Sequence, residues 1–306
     1  MTDRDAAAVA MTPRPLVNSV VRWACGGTVD RLIRLTAGGL NETYRADLVS
    51  AGSVVVRIAR RPVPWFTHEA EVMGQARAAG VPAPEVLGVD HVEHDGQLLS
   101  FSVQRLVPGR PLDEVARELP IADVERLVMD GGELLARVHS VQPGRGTRHA
   151  LQPPEGCLVA RVAGLVDRDF GADAAAVVER GAELLREHVT GRPTPNLSLA
   201  HGDWMPEHLL VDNGAIAGVI DWEFAGPASP AFDLGRWEVS VGGRPHFGSD
   251  LLLRGYARVA DPESAAAGWV PAFAIDWALE VLAWQNPATP AYRRRCLDVI
   301  ARYVRA

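Results

Sequence analysis

Three side chains that can move protons or bind metal ions lie close together in the sequence: Asp203, His208 and Asp221. Asp203 precedes His208 by five residues, and Asp221 follows a run of apolar residues. Two carboxylates and an imidazole suit a metal-assisted transfer in which one carboxylate orients the attacking nucleophile. Such chemistry requires a fold that brings the three side chains to one place.

The residues between His208 and Asp221 predict a β-hairpin that would do this. The pattern consists of an apolar run at 209–211, a turn at 212–214 containing the pair Asn213-Gly214, and a second apolar run at 216–220. His208 then lies just before the first strand and Asp221 just after the second. Because these two ends of an antiparallel hairpin are neighbours, we expect both side chains at one end of the ribbon, with Asp203 on the entering loop.

The motif HGDxxxxH, followed by a hairpin and IDW, resembles the catalytic core of the aminoglycoside phosphotransferase family of kinase-like small-molecule kinases. The resemblance implies an α+β, bilobal, protein-kinase-like fold. A small antiparallel-sheet N-terminal lobe (1–107) would bind nucleotide, and a larger, mainly helical C-terminal lobe (108–306) would carry catalysis and substrate binding. Helices are predicted at 16–23, 66–79, 124–139, 157–166, 174–189, 230–240, 249–260, 264–284 and 289–304.

Carried over to this chain, Asp203 resembles the catalytic base and Asp221 the main ligand of magnesium on the phosphates of ATP or GTP. The family usually has Asn where this chain has His208, so this residue either binds the metal or leaves that position to water. Histidine at this place is typical of macrolide phosphotransferases with HGDxxxGH, but Glu207 stands where those proteins have Gly.

A strand, a glycine-containing turn and a second strand over 31–48 resemble the family's loop above the nucleotide phosphates. Gly38, Gly39 and Asn41 are the candidate nucleotide-binding residues, because backbone N–H groups can approach phosphate where no Cβ intrudes. Without the core motif, a Gly-Gly hairpin is most often merely a turn.

All 31 basic residues are arginine, so arginine must make any contact that a lysine would make with phosphate. Arg57 interrupts a strongly β-branched strand at 53–58, where the resemblance places the phosphate-binding cation. Glu69, near the start of a predicted helix, is the implied partner that orients Arg57. Glu71 is the competing candidate, and an exposed helix carboxylate is the ordinary alternative for either.

The segment QRLVPGRP at 104–111 resembles the family's hinge between lobes. Backbone groups of 105–107, including Arg105 and Val107, would then hydrogen-bond the nucleobase. Further along the chain, Asp233 resembles the buried carboxylate that anchors the catalytic loop, and His139 is interpreted as structural.

Asp276, Trp277 and Glu280 recur at helical spacing near the C-terminus, together with Trp284. The carboxylates could bind a cationic substrate and the indoles could stack on a ring. An ordinary helix with tryptophan in the core explains the same spacing.

Composition excludes several other classes of function. The net charge is −7 and the basic residues cluster only at Arg293-Arg294-Arg295, which does not favour a nucleic-acid partner. No apolar run approaches the ~20 residues of a membrane span, and the N-terminus does not have the pattern of a secretory signal. Three widely spaced cysteines predict no disulfide framework, which favours the reducing cytoplasm. We expect a monomer or a homodimer.

The sequence therefore favours a magnesium- and ATP- or GTP-dependent kinase of a small-molecule hydroxyl. The acceptor stays open among a macrolide, an aminoglycoside, a nucleoside antibiotic and a metabolite. A catalytically weak, pseudokinase-like nucleotide-binding module is one alternative, since the usual Asn and Lys are absent. A metal-dependent hydrolase that uses His201, Asp203 and His208 is the other.

Overall fold

The computed structural model describes residues 11–35, 41–50, 52–59, 65–142, 172–191, 196–266, 268–283 and 289–305. Gly38, Gly39, Trp284 and the helix predicted at 157–166 lie outside these residues. The chain divides into two compact units, one of Met1–Gly74 and Pro84–Val107 and one of Gln75–Ala83 and Pro108–Ala306. The predicted division at 107/108 had placed Gln75–Ala83 in the N-terminal lobe. This segment belongs to the second unit, where the Pro82 carbonyl accepts a hydrogen bond from Val219 N–H at 2.9 Å.

The first unit is built on a five-stranded antiparallel sheet with strand order β1-β2-β3-β5-β4. Its elements in chain order are α1 (Arg14–Cys25), β1 (Val29–Leu35), β2 (Glu42–Leu48), β3 (Ser53–Ala59), α2 (Trp65–Ala78), β4 (Val86–His94) and β5 (Gln97–Arg105). Helix α2 continues past Gly74, so its last residues belong to the second unit.

Strand β3 lies at the centre of this sheet, and its side chains alternate between the two faces. Val54, Val56 and Ile58 are buried and pack in one apolar cluster with Val17 and Val21 of α1. Successive side chains of a strand point to opposite faces, so Arg57 lies on the face away from this cluster. The burial of its neighbours thereby fixes the direction in which Arg57 points.

The second unit is mainly helical and contains two small antiparallel sheets, β6-β8-β9 and β7-β10. Its strands are β6 (Arg110–Pro111), β7 (Ser198–Ala200), β8 (Leu209–Asp212), β9 (Ala215–Val219) and β10 (Gly226–Ala228). Its helices are α3 (Leu112–Val115), α4 (Ile121–His139), α5 (Ala172–Gly191), α6 (Pro230–Val241), α7 (Ser249–Tyr256), α8 (Pro262–Ala266), α9 (Val270–Ala283) and α10 (Pro290–Arg305).

Helix α6 lies in the core of this unit, and nearly all of its residues are buried. The Ser229 side chain caps its first turn by accepting the Ala231 N–H at 3.2 Å, and Pro230 occupies the first helical position. A helix surrounded by protein on all sides can present several side chains to different neighbours. Two of those side chains contact the candidate site.

The single helix predicted at 264–284 is wrong, because two helices occupy this stretch. Helix α8 ends at Ala266 and α9 begins at Val270. Gly268 has φ of +73°, a left-handed conformation that stops a helix and that glycine adopts without penalty. Pro271 then lies in the first turn of α9, where the missing N–H costs nothing.

No helix in the described residues is long and apolar enough to cross a membrane. Of the three cysteines, Cys25 is an exposed free thiol and Cys296 a buried one. Cys157 lies outside the described residues.

Candidate active site

The predicted hairpin is present as β8 and β9. Asp212 pairs with Ala215 across the turn, and Leu209 pairs with Val219 at the other end. The two turn residues, Asn213 and Gly214, have φ of +48° and +75°, as a two-residue hairpin turn of this hand requires.

The hairpin brings the three candidate side chains together, as the sequence predicted. One ligand atom from each of Asp203, His208 and Asp221 lies within 4.8 Å of the other two. Asp203 is buried, whereas His208 and Asp221 are partly exposed. Two carboxylates and an imidazole in this arrangement form a set that could hold a divalent cation.

The protonation of the His208 ring follows from its hydrogen bond. Its Nδ1 lies 2.8 Å from the Asp203 main-chain carbonyl, and a carbonyl can only accept, so Nδ1 carries the proton. In the neutral ring, Nε2 then holds a lone pair, and it lies 3.4 Å from Asp221 Oδ2. Fixing one ring nitrogen in this way prepares the other for metal binding.

The backbone of the loop carrying Asp203 is held by Asp233, near the start of α6. Asp233 is fully buried, and its two carboxylate oxygens accept the N–H groups of His201 and Gly202, each at 2.8 Å. His139 Nε2 lies 3.0 Å from Asp233 Oδ2. The structural roles predicted for Asp233 and His139 agree with these contacts.

The buried carboxylate of Asp233 stays ionised because of these donors. Burial alone would raise the pKa of Asp233, but the hydrogen bond and charge of His139, with the His201 amide, lower it below 3.8. Burial raises the pKa of Tyr256, so its hydroxyl keeps its proton, and the hydroxyl oxygen lies 3.0 Å from His139 Nδ1. A continuous chain of hydrogen bonds thus runs from Tyr256 through His139 and Asp233 to the loop that carries Asp203.

The His201 ring stabilises the loop through hydrogen bonds at both of its nitrogens. Its Nδ1 accepts the Asp203 N–H at 3.2 Å, and its Nε2 donates to the Ile220 carbonyl at 3.0 Å. Burial lowers the pKa of His201, which agrees with a neutral ring. Because both ring nitrogens are occupied, His201 cannot supply the metal ligand that the hydrolase alternative requires.

Asp221 has an unusual backbone conformation for a residue that is not glycine, with φ of +67°. Its neighbours hold it there. Ile220 N–H donates to the His208 carbonyl at 3.0 Å, and the Trp222 indole donates to Val219 at 2.8 Å. Strained backbone conformations that the surrounding structure stabilises are concentrated at functional sites.

Gly202, in the same loop, cannot carry a side chain. Its φ is +87°, and a Cβ placed on it would lie 2.2 Å from the carbonyl oxygen of Phe224. The glycine of the HGD motif therefore allows the loop to pass against the segment that follows Asp221.

The Asp203 carboxylate makes a contact that the sequence did not predict. Arg236, in α6, donates from Nε to Asp203 Oδ1 at 2.7 Å, and its Nη2 contacts the same oxygen. Both side chains are buried. The available signal was the spacing of Asp233 and Arg236 by three residues, which places them on one face of a helix.

In the first unit, Arg57 Nη1 hydrogen-bonds Glu69 Oε2. Glu69 is 2% exposed, whereas the competing Glu71 is exposed. Arg57 Cζ also lies 5.4 Å from the centre of the Phe66 ring. Of the two candidate partners that the sequence offered, the structure pairs Glu69 with Arg57.

Backbone groups of 105–107 were predicted to bind a nucleobase, and two of their N–H groups already have partners. Arg105 N–H donates to the Glu85 carbonyl at 2.9 Å, and Leu106 N–H donates to the Ser53 carbonyl at 3.0 Å. The Arg105 side chain forms an exposed ion pair with Glu85 at 2.5 Å. These contacts leave the amide of Val107 as the better candidate.

The candidate substrate residues of α9 lie in different environments. Asp276 is buried, while Trp277 and Glu280 are partly exposed. The Trp277 ring faces the Arg236 guanidinium, with Cζ 3.1 Å from the ring centre. Asn41, at the edge of the described residues before β2, is partly exposed.

Comparison with known proteins places this geometry in a family. Residues 31–295 match the sequence model of the family described as "Phosphotransferase enzyme family". No curated protein matches the chain significantly.

Several solved structures share the fold. A thermostable mutant of aminoglycoside phosphotransferase APH(4)-Ia, in a ternary complex with ADP and hygromycin B, is 18% identical with a TM-score of 0.65, covering 94% of this chain and 98% of that one. Amicoumacin kinase hAmiN, in complex with AMP-PNP, Ca²⁺ and Ami, is 13% identical with a TM-score of 0.68, covering 96% and 94%.

A choline/ethanolamine kinase family protein from Mesorhizobium loti is 24% identical with a TM-score of 0.61, covering 94% of this chain and 92% of that one. At these identities the likeness concerns the fold, and it confirms the predicted kinase-like, bilobal class.

Proposed function

Because the chain belongs to the phosphotransferase enzyme family, we propose that it transfers the γ-phosphate of ATP or GTP to a hydroxyl group of a small molecule in a magnesium-dependent reaction. The broader class, a small-molecule O-phosphotransferase with an alcohol acceptor, is confirmed by the family. The observation that carries the finer proposal is the gathering of Asp203, His208 and Asp221 within 4.8 Å.

Asp203 is the proposed base. It would accept a hydrogen bond from the acceptor hydroxyl, orient it and take its proton late in the transfer. Phosphoryl transfer depends mainly on positioning and electrostatic stabilisation. The fixed backbone of this loop, bonded to Asp233 on one side and to His201 on the other, suits that task.

Asp221 and His208 are the proposed metal ligands, and the structure offers a test of their fit. His208 Nε2, which offers a lone pair when the ring is neutral, lies 3.4 Å from Asp221 Oδ2. Bound there, a divalent cation would neutralise charge on the nucleotide phosphates. Magnesium prefers oxygen ligands, whereas Mn²⁺ also accepts imidazole nitrogen. A site formed by His208 and Asp221 should therefore favour Mn²⁺ more than a site with two oxygen ligands would.

Arg57 is the proposed phosphate-binding cation of the first unit, and Glu69 orients it. A guanidinium presents a planar pair of donors that matches two phosphate oxygens. Val107, and with it Gly38, Gly39, Asn41 and Arg105, complete the proposed nucleotide-binding residues. The adenine nucleotides bound by APH(4)-Ia and amicoumacin kinase favour ATP.

The acceptor is proposed to be an antibiotic of the aminoglycoside, macrolide or nucleoside type. APH(4)-Ia was solved with hygromycin B and amicoumacin kinase hAmiN with Ami, which supports this class. The choline/ethanolamine kinase neighbour keeps a small metabolite hydroxyl as the second candidate.

The proposal is tested by incubating the protein with Mg·ATP and, separately, Mg·GTP. The acceptor panel contains hygromycin B, erythromycin, puromycin and choline, and products are identified by mass. The expected result is one phosphate added to one acceptor. Asp203→Asn should lower that rate by about 10²- to 10⁴-fold, while Asp250→Asn, at an exposed position of α7, should not.

Three outcomes would contradict the proposal or part of it. A protein that binds neither Mg·ATP nor Mg·GTP is not this kind of kinase. Tight nucleotide binding with no transfer to any acceptor would support the pseudokinase-like module instead. Near-normal transfer by Asp203→Asn would reject Asp203 as the base.

A further inference from the structure

Helix α6 contacts the catalytic loop through two residues one turn apart. Asp233 holds the loop backbone through the His201 and Gly202 amides, both at 2.8 Å. Arg236 holds the Asp203 side chain through its Nε at 2.7 Å. Positions three apart on a helix share a face, so one rigid element fixes both the path of the loop and the carboxylate that it carries.

The two oxygens of Asp203 are made unequal by this contact. Arg236 Nε and Nη2 both approach Oδ1. Oδ2 points toward the metal-binding side, where it lies 3.6 Å from His208 Nδ1. A carboxylate held through one oxygen cannot rotate freely, and the other oxygen is then presented in one orientation.

Arg236 is itself held on its far side. Trp277, in α9, covers the guanidinium with Cζ 3.1 Å from the ring centre. The indole N–H of Trp277 donates to the hydroxyl of Tyr292, in α10, at 3.0 Å. Burial raises the pKa of Tyr292, so this hydroxyl remains neutral. A planar guanidinium can direct two N–H donors at one carboxylate while its flat face stacks on a ring, which the ammonium group of lysine cannot do.

We propose that Arg236 is a positioning residue for phosphoryl transfer, which fixes Asp203 Oδ1 so that Oδ2 meets the acceptor hydroxyl, and that Trp277 supports Arg236 from behind. This inference rests on the proposed function, since Asp203 matters as a base only in that reaction. It also gives Trp277 a role other than stacking on a substrate ring.

The test compares wild type with Arg236→Met and Arg236→Lys. Arg302→Met is the matched control, because Arg302 also pairs with a carboxylate, Glu238 Oε1 at 2.9 Å, and lies over an aromatic ring, that of Tyr303. Four quantities are measured for each protein: kcat and KM for the acceptor from the panel above that the wild type phosphorylates, the Kd for Mg·ADP, and the melting temperature.

The expected result for Arg236→Met is a loss in kcat on the order of 10²-fold, because small displacements of a catalytic group have effects of this size. KM and the Kd for Mg·ADP should stay close to wild type. Arg236→Lys should recover part of kcat, since it restores the charge without the planar pair of donors. Arg302→Met should keep the wild-type kcat.

The inference is overturned if Arg236→Met transfers phosphate at the wild-type rate while Asp203→Asn does not. It is also overturned if Arg302→Met loses kcat as strongly, since that would show a general effect of packing. If Arg236→Met does not fold, Arg236→Lys decides, and a wild-type kcat in that variant rejects the role. Absence of transfer by the wild type rejects the proposed function first, and the role of Arg236 falls with it.

Discussion

His208 donates its Nδ1 proton to the main-chain carbonyl of Asp203, 2.8 Å away and five residues earlier in the chain. This bond places a proton on Nδ1 and fixes the orientation of the ring, so that Nε2 lies 3.4 Å from Asp221 Oδ2. The proposed base and the proposed metal ligand are therefore connected through the backbone. The departure from the usual Asn of the family leaves a side chain that can still bind a cation.

The first prediction concerns the metal preference that this imidazole confers. His208→Ala should weaken the binding of Mn²⁺ to the ADP complex by about 10- to 100-fold. His208→Asn should retain Mg²⁺ binding but lower the preference for Mn²⁺, because an amide oxygen is a harder ligand. Titration calorimetry with Mg²⁺ and Mn²⁺ gives both constants. His246→Ala, which changes a half-exposed histidine near Glu125, is the control. Unchanged metal affinity in His208→Ala would show that this residue is not a ligand.

The second prediction concerns the ion pair of the first unit. Arg57→Met should weaken ATP binding and lower the free energy of unfolding by about 2 kcal/mol, because buried Glu69 loses a charged hydrogen-bond donor. The measurements are nucleotide titration and urea unfolding. Arg45→Met breaks the exposed pair with Asp47 in the same sheet and should change stability by less than about 1 kcal/mol. Equal losses in the two variants would contradict a special role for Arg57.

The third prediction concerns the anchor of the catalytic loop. Asp233→Asn keeps the shape of the side chain but turns an amide NH₂ toward at least one group that now donates to it. We expect a loss of about 3 kcal/mol in the free energy of unfolding, since a charged acceptor of buried donors is removed. Transfer should fall as well, because Asp203 follows in the same loop. Asp250→Asn is the exposed control, and stability equal to wild type in Asp233→Asn would reject the anchor.

The fourth prediction is the pH dependence of that anchor. The pKa of Asp233 is lowered from 3.8 in the folded chain, so the unfolded chain takes up a proton at a higher pH than the folded chain does. The stability that ionised Asp233 contributes is therefore fully present above about pH 4 to 5 and is lost as the pH falls toward the lowered value. Urea unfolding gives the free energy of unfolding of the wild type and of Asp233→Asn at pH 7 and pH 3. The difference between the two proteins should be smaller at pH 3. A larger difference at pH 3 than at pH 7 would contradict the role of ionised Asp233 as the anchor.

Much of the site could be predicted because it depends on short-range rules. The Asn213-Gly214 pair predicts a two-residue turn, and that turn brings His208 and Asp221 together whatever the rest of the chain does. The alternation of Val54, Val56 and Ile58 likewise fixes the direction of Arg57. The broken helix at 264–284 shows the limit of such reasoning, since the apolar spacing continued across Gly268 and concealed its left-handed backbone.

The sequence by itself determined the hairpin, the family and the residues whose chemistry suits phosphoryl transfer, because each depends on neighbours within a few positions or on a recognisable motif. The tertiary structure decided which atoms of those residues are already bonded to other side chains and which can meet a ligand. Arg236 reaches Asp203 across 33 positions only because α6 is docked beneath the loop. Trp277 meets Arg236 only because α9 packs against α6. Contacts of this kind follow from how buried helices pack around one another, and no local spacing in the chain specifies that packing.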